Sequence, residues 1–432
     1  VSEEKYAVST VTKRKTVGYI ELLRQNSNFR NLWLGQVISL LGDWFNLIAS
    51  ASIIATLTQS GAAIGGLFVV RMLAPFLMSP FAGVAADRYN RKCLLITTDI
   101  LRGIIVLGFL FVRRPEDVWL VYVLSALQMG ISGFFFPTRN AILPDITVKE
   151  ELGAANAISS ATWSVMLALG AALGGLASGI LGPYPAFVID ALTFFLSAII
   201  IYQIRYKHES SVTDKTVSAA FIQYVEGIAY LRKHIDIFFI TLIKAFNALF
   251  VAGAFQVVQV AIAEQHFVIG EGGGISLGLM YMSVGIGTGL GPIVARYFTG
   301  DRDSALRRAI MVSFLISASG LALASTLMNF PLVLVGTFLR GIGAGLAWVF
   351  STQLLLQLVP DLVRGRVFST EFMLWTLMNA VSAGISGWML DTGMSISTVL
   401  QWMAALTLLP AILWGFWYFN QPLVKPGHNL DN

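Results

Sequence analysis

Long apolar stretches broken by short polar ones repeat along almost the whole chain. A helix needs about 20 apolar residues to cross roughly 30 Å of hydrocarbon. By that measure the pattern predicts twelve spans. They cover residues 32–56, 62–86, 93–112, 118–138, 155–181, 186–206, 235–263, 275–298, 306–327, 331–355, 369–390 and 396–419. The first 31 residues are polar and hold no apolar core, so no cleavable leader is expected. The longest break, 207–234, is polar at first. Phe221, Ile222, Val225, Ile228 and Leu231 then recur at helical spacing, which predicts a helix lying on the membrane surface. Tyr19, Ile20, Leu22, Leu23 and Phe29 predict the same at the N-terminal side.

The break leaves six spans on each side. The expected organisation is therefore a segment 1–31, a bundle 32–206, a linker 207–234, a second bundle 235–419 and a tail 420–432. The halves also echo each other. Leu143-Pro144-Asp145 follows span 4 and Val359-Pro360-Asp361 follows span 10, with the two Asp 216 positions apart. Asp87-Arg88 follows span 2 and Asp301-Arg302 follows span 8, 214 positions apart. Two matches at nearly one offset point to an internal duplication, the architecture of alternating-access transporters. The fold class is thus all-α and membrane-embedded: twelve transmembrane helices in two pseudo-symmetric six-helix bundles.

Composition agrees. The 432 residues are 56% hydrophobic and only 12% charged, about half the charge a soluble domain of this length uses. Lys and Arg gather in alternate connections, and the opposite side carries Arg113 and Arg114. The positive-inside rule then puts both termini in the cytoplasm, with the protein multi-pass in the cytoplasmic membrane. The same bias accounts for the net charge of +5 without any nucleic-acid partner. Cys93 is the single cysteine and no Cys/His cluster is present, so neither an internal disulfide nor a metal site is expected. There is no phosphate-cradling loop, no HExxH and no Ser/His/Asp set, so an enzyme is not expected and no cofactor is implied.

Between spans 2 and 3 stands Gly83-Val84-Ala85-Ala86-Asp87-Arg88-Tyr89-Asn90-Arg91-Lys92. This resembles the signature loop of the major facilitator superfamily. Asn28-Phe29-Arg30-Asn31-Leu32-Trp33-Leu34-Gly35-Gln36, Phe135-Phe136-Pro137-Thr138-Arg139-Asn140-Ala141-Ile142-Leu143-Pro144, Asp190-Ala191-Leu192-Thr193-Phe194 and Arg364-Gly365-Arg366-Val367 are similar to the branch that holds macrolide-efflux proteins and the enterobactin exporter. The resemblance implies the major facilitator fold and export of a drug-, macrolide- or siderophore-like amphiphile, driven by proton entry. The alternative is a lipid or lysophospholipid translocator without proton coupling. A monomer is expected, with membrane lipids, protons and a small-molecule substrate as partners. The signature loop is read as a cytoplasmic latch: Gly83 permits close helix approach, Asp87 faces the start of span 11, and Arg88, Arg91 and Lys92 pair with carboxylates or lipid phosphate. Span 5 departs from the antiporter pattern, because its Gly170…Gly174-Gly175…Gly179 run lacks the Gly-Pro step. Small residues four apart still predict a close-packing face.

Charges inside spans mark the candidate site, because each one needs a partner or water. They are Asp43, Arg71, Asp99, Arg102, Asp190, Lys244 and Arg340. Asp43 lies about 17 Å into span 1, near the midplane. In the resembled fold, spans 1, 4, 7 and 10 line the cavity while 3, 6, 9 and 12 pack outside. This makes Asp43, Lys244 and Arg340 the expected coupling and substrate set, with Gln128 and Gln256 orienting the solute. Asp99 and Arg102, three apart on one face, are expected to pair with each other. Arg71 belongs with the intramembrane ion pairs, and Asp190, nearer the outer end, is expected to make a packing hydrogen bond.

Overall fold

The computed structural model describes residues 18–148, 150–206, 228–300 and 302–420. Twelve long helices follow the predicted spans: α1 Ser27–Thr58, α2 Gly61–Arg88, α3 Arg91–Leu107, α4 Val118–Ile146, α5 Leu152–Leu181 and α6 Pro183–Tyr202. The second set is α7 Ile235–His266, α8 Gly274–Thr299, α9 Asp303–Ser325, α10 Phe330–Leu358, α11 Asp361–Asp391 and α12 Ile396–Asn420. Eleven are long and apolar enough to cross a membrane. The exception is α11, which buries Thr370, Glu371, Thr376, Asn379, Ser382 and Ser386 against its neighbours. It is long enough, but it answers to protein more than to lipid.

Caps at the polar breaks explain where helices begin. Asn26, Ser60, Asn90 and Asn329 accept the N–H of Phe29, Ala63, Cys93 and Leu332 respectively, each satisfying a donor that the first turn leaves orphaned. Hydropathy underestimates the helices where they leave the bilayer. α4 runs to Ile146 through Pro137 and Pro144, and α11 starts at Asp361 rather than 369. The N-terminal amphipathic segment forms the short helix Tyr19–Gln25, whose Leu22 is fully buried beside Phe29 and Leu32. Of the predicted linker helix, residues 228–233 are helical; Phe221, Ile222 and Val225 lie outside the described residues.

Helix pairing repeats between the halves. α2 packs on α4 as α8 does on α10; α3 packs on α4 and α6 as α9 does on α10 and α12; α1 packs on α5 as α7 does on α11. Two seams join the halves, α2 with α11 and α5 with α8. Glycine makes both seams close. A Cβ on Gly175 would stand 2.6 Å from the Cα of Gly278, and one on Gly65 would stand 2.7 Å from the carbonyl oxygen of Ala383. The glycine run of span 5 thus packs helices, and it serves two neighbours: Gly175 and Gly179 meet α8, while Gly170 and Gly174 meet Trp44 and Phe45 of α1.

These close approaches sit at the end opposite the basic connections. At the basic end, a Cβ on Gly289 or Gly365 would have no neighbour within 4 Å. Hydrogen bonds reinforce the closed end. Asp391 accepts from the Ser60 hydroxyl at 2.7 Å and from the Gly61 N–H at 2.6 Å, so one half caps a helix of the other. Ser52 donates to the Gly272 carbonyl at 3.1 Å. An Asp391→Ala change removes a charged acceptor worth about 1.5–3 kcal/mol. In a Cys93→Ser background, a Ser52→Cys thiol at this seam should then label with maleimide roughly tenfold faster than with Asp391 intact. An unchanged labelling rate would show that glycine packing alone holds the seam.

Candidate functional site

Between the halves lies a cavity of about 340 Å³, within the range of small-molecule pockets. Its walls come from α1, α2, α4, α5, α7, α8 and α10. Most of the surface is apolar: Leu40, Trp44, Phe68, Met72, Met129 and Phe136 contribute to it. The polar groups are few: Asp43, Arg71, Ser132, Gln256, Gln259, Tyr281 and Arg340. Two helices carry a π turn where they meet this space, Met166–Gly170 in α5 and Ala248–Ala252 in α7. Such turns shift the register of side chains and so re-aim them into a site. Trp44 meets Tyr281 edge-on at 5.1 Å across the halves.

Asp43 is the edge of a larger charge cluster. Its Oδ1 accepts from Arg102 Nη2 at 2.5 Å, and its side chain keeps 21% exposure while that of Arg102 keeps 2%. Arg102 comes from α3 and lies 4.0 Å over the ring of Phe194. Asp99 is further from Arg102, at 3.7 Å, and accepts from the Ser197 hydroxyl at 2.6 Å. Asp99 thus pairs with Arg102 as expected, and Arg102 has a second, tighter partner in Asp43 of α1. Asp190 is fully buried in α6, closer to the end that starts at Pro183 than to the end at Tyr202, and packs against Gly42 next to Asp43. Arg71 donates to Asn46 Oδ1 at 3.3 Å and stands within electrostatic reach of Asp43 and Asp190.

Lys244 does not join this set. It is buried in the second half, where Nζ donates to Glu371 Oε2 at 2.8 Å and lies 4.4 Å over Trp348. Arg340 does line the cavity, with its guanidinium 4.4 Å over the ring of Phe255. Gln256 lines it too and donates to Asn379 Oδ1 at 3.3 Å. Gln128 is fully buried in α4, behind the wall rather than in it. Of the expected set, the fold brings Asp43, Arg340 and Gln256 to one cavity and leaves Lys244 and Gln128 apart.

At the basic end, Arg91 binds Asp145 at 2.6 Å and the carbonyls of Ala86 and Ala141 at 3.2 Å. Two motifs that stand 54 positions apart in the chain thus meet, tying the ends of α2, α3 and α4. Lys92 lies 4.9 Å over the Tyr202 ring, and Arg88 is exposed. Gly83 and Asp87 fall inside α2, but their surroundings lie outside the described residues.

Sequence reasoning passed over Glu371, although the residue falls inside the predicted span 369–390, where any carboxylate is a signal. Asp391 sits one position past that span and reads as loop. Tyr281 gives no signal at all, since an aromatic in an apolar run is unremarkable without a fold.

Comparison with known proteins gives concordant matches. The sequence profile of the Major Facilitator Superfamily matches residues 32–302. An uncharacterized MFS-type transporter of Bacillus subtilis (strain 168), YfiS, is 27% identical over 215 residues, 49% of this chain and 51% of that protein. The putative bacilysin exporter BacE of the same organism is 28% identical over 212 residues, 49% and 52% of the two chains. The chain thus spans about half the length of these curated relatives. The crystal structure of an auto-inhibited POT family peptide transporter superposes with a TM-score of 0.72 at 14% identity, covering 93% of this chain and 99% of that one. That likeness is one of fold.

Proposed function

The chain belongs to the major facilitator superfamily, and from that premise we propose that it exports an amphiphilic small molecule across the cytoplasmic membrane by alternating access, in exchange for protons. As a member of this superfamily it is a membrane transporter and not an enzyme. The observation that carries the proposal is the placement of the Asp43–Arg102 pair in the wall of an apolar cavity between two related bundles. The exporter named among its relatives supports the direction.

The proposed cycle uses groups already described. The basic connections face the cytoplasm, so the seams closed by glycine and Asp391 face outward and the cavity loads from inside. The bundles then rock about the cavity: the α2–α11 and α5–α8 seams part at the outer end and close at the inner one. Three carboxylates, Asp43, Asp99 and Asp190, stand with two guanidiniums, Arg71 and Arg102. That count leaves one negative charge for a proton to neutralise. Asp43 keeps exposure toward the cavity while Asp99 and Asp190 have none, so it is the carboxylate that water reaches. A proton arriving there removes the charge that holds Arg102, which ties proton entry to helix movement.

The test uses inside-out vesicles from cells producing the full chain, with an acidified lumen. The probes are erythromycin, enterobactin and dansylglycine, each followed separately. At least one should accumulate above control vesicles, an uncoupler should abolish the accumulation, and Asp43→Asn should reduce it to the control level. Accumulation that survives both the uncoupler and the variant removes proton exchange. Movement of labelled lysophosphatidylcholine alone, insensitive to the uncoupler, would establish the lipid-translocator reading instead.

A further inference from the structure

Among the described residues, the buried cations have anionic or polar partners, with one exception at the cavity. Arg102 has Asp43, Lys244 has Glu371, Arg307 has Asp303, and Arg71 has Asn46 beside the aspartate cluster. Arg139 donates to Asn140 and Ser159. The guanidinium of Arg340 meets no carboxylate and no hydrogen-bond acceptor among the described residues, and its Nε is buried without a partner. The Phe255 ring beneath it answers the charge in part but takes none of its five N–H donors.

The position is not slack that a small shift would relieve. Around Arg340 the α10 backbone is seated by glycines. A Cβ on Gly341 would stand 2.7 Å from the Val284 carbonyl oxygen of α8, and one on Gly320 of α9 would stand 2.5 Å from the N of Arg340 itself. The helix cannot rotate or withdraw without breaking those approaches, so the side chain is held where the cavity wall is. An unpaired guanidinium inside a membrane bundle is unfavourable. It persists where a ligand completes it.

We infer that Arg340 is the anchor for a carboxylate on the transported molecule. Guanidinium and carboxylate match as two parallel N–H···O bonds, a fit that a neutral amide or hydroxyl does not reproduce. Gln256 and Gln259, three apart on α7, share the cavity with Arg340 and can take further polar groups. Trp44, Phe68, Phe136 and Met129 take the apolar body. The substrate class is then an amphiphile with one acidic end, narrower than the class proposed above, on which this assignment rests.

The experiment uses the full chain in nanodiscs and two fluorescent probes of nearly one shape, dansylglycine and dansylglycinamide, which differ in the charge of a single group. Dansylglycine should bind roughly 10- to 100-fold more tightly, the range for a hydrogen-bonded charge. Arg340→Gln should bring its affinity down to that of the amide and leave the amide nearly unchanged. Arg340→Lys, which keeps the charge but loses the fork, should retain part of the preference and guards against a folding defect in the glutamine variant. Equal affinity of the two probes, no binding of either, or a preference that survives Arg340→Gln would overturn the assignment. Carboxylate-selective binding without gradient-driven movement would leave the anchor standing and remove the exchange reading. Proton-driven uptake that ignores charge would do the opposite.

Discussion

Replacing Arg102 with alanine should lower the stability of the purified protein by about 3–5 kcal/mol, the usual result of removing one partner from a buried ion pair. Arg102 is 1% exposed, and its guanidinium serves Asp43 at 2.5 Å and Asp99 at 3.7 Å. Without it three carboxylates remain with Arg71 as the cluster's cation. Water reaches Asp43 from the cavity, whereas Asp99 and Asp190 are fully buried and are left short of a cation. The measurement is thermal unfolding in detergent, read as the apparent melting temperature. Adding Asp43→Asn should recover a substantial part of the loss, since it removes the charge left most exposed to the imbalance. If the double variant melts as low as Arg102→Ala alone, lost packing on Phe194 rather than unpaired charge is the cause.

The second large effect belongs to the other half. Glu371→Gln should cost a similar amount, about 3–5 kcal/mol, because it strands the Lys244 ammonium over Trp348 with its neutralising partner gone. The pair is 6% and 3% exposed, so solvent screening offers little relief. Replacing both residues together, Lys244→Met with Glu371→Leu, should return stability to near the starting value, since apolar side chains of similar volume often substitute for a buried pair without loss. Transport then separates two roles. A stable double variant that still moves substrate marks the pair as structural. A stable but inactive one places it in the conformational cycle. A double variant as unstable as Glu371→Gln alone would contradict the charge-imbalance account.

Much of the fold is legible without coordinates, and the reason is the solvent. In hydrocarbon every backbone polar group must be satisfied within the segment, so an apolar run of sufficient length has few alternatives to a helix. The runs are therefore read correctly even where their ends are not. The ends fail for a related cause: hydropathy reports where lipid stops, whereas α4 and α11 continue past that depth as long as caps and neighbours sustain them. α11 shows the other weakness. Its buried Thr, Asn, Ser and Glu side chains lower its apolar signal, although it forms one seam between the halves.

The candidate site was legible as a set of residues and not as an arrangement. Asp43, Arg71 and Arg340 stand out from sequence because charge is rare in such runs. Lys244 stands out for the same reason, yet it belongs to a separate pair. Depth along a helix follows from counting residues. Rotation about its axis does not, and rotation decides whether a charge at the right depth faces the cavity or a neighbouring helix.

The amino-acid sequence alone determined the twelve spans, the duplicated halves and the side on which basic residues gather, because all of these follow from local composition and spacing. The tertiary structure decided the partners. Arg102 reaches Asp43 across 59 positions and Lys244 reaches Glu371 across 127. Those meetings are set by helix rotation and by the approaches that glycine permits. That Arg340 meets no counter-ion among the described residues is visible in three dimensions alone, since it is a property of everything packed around a group.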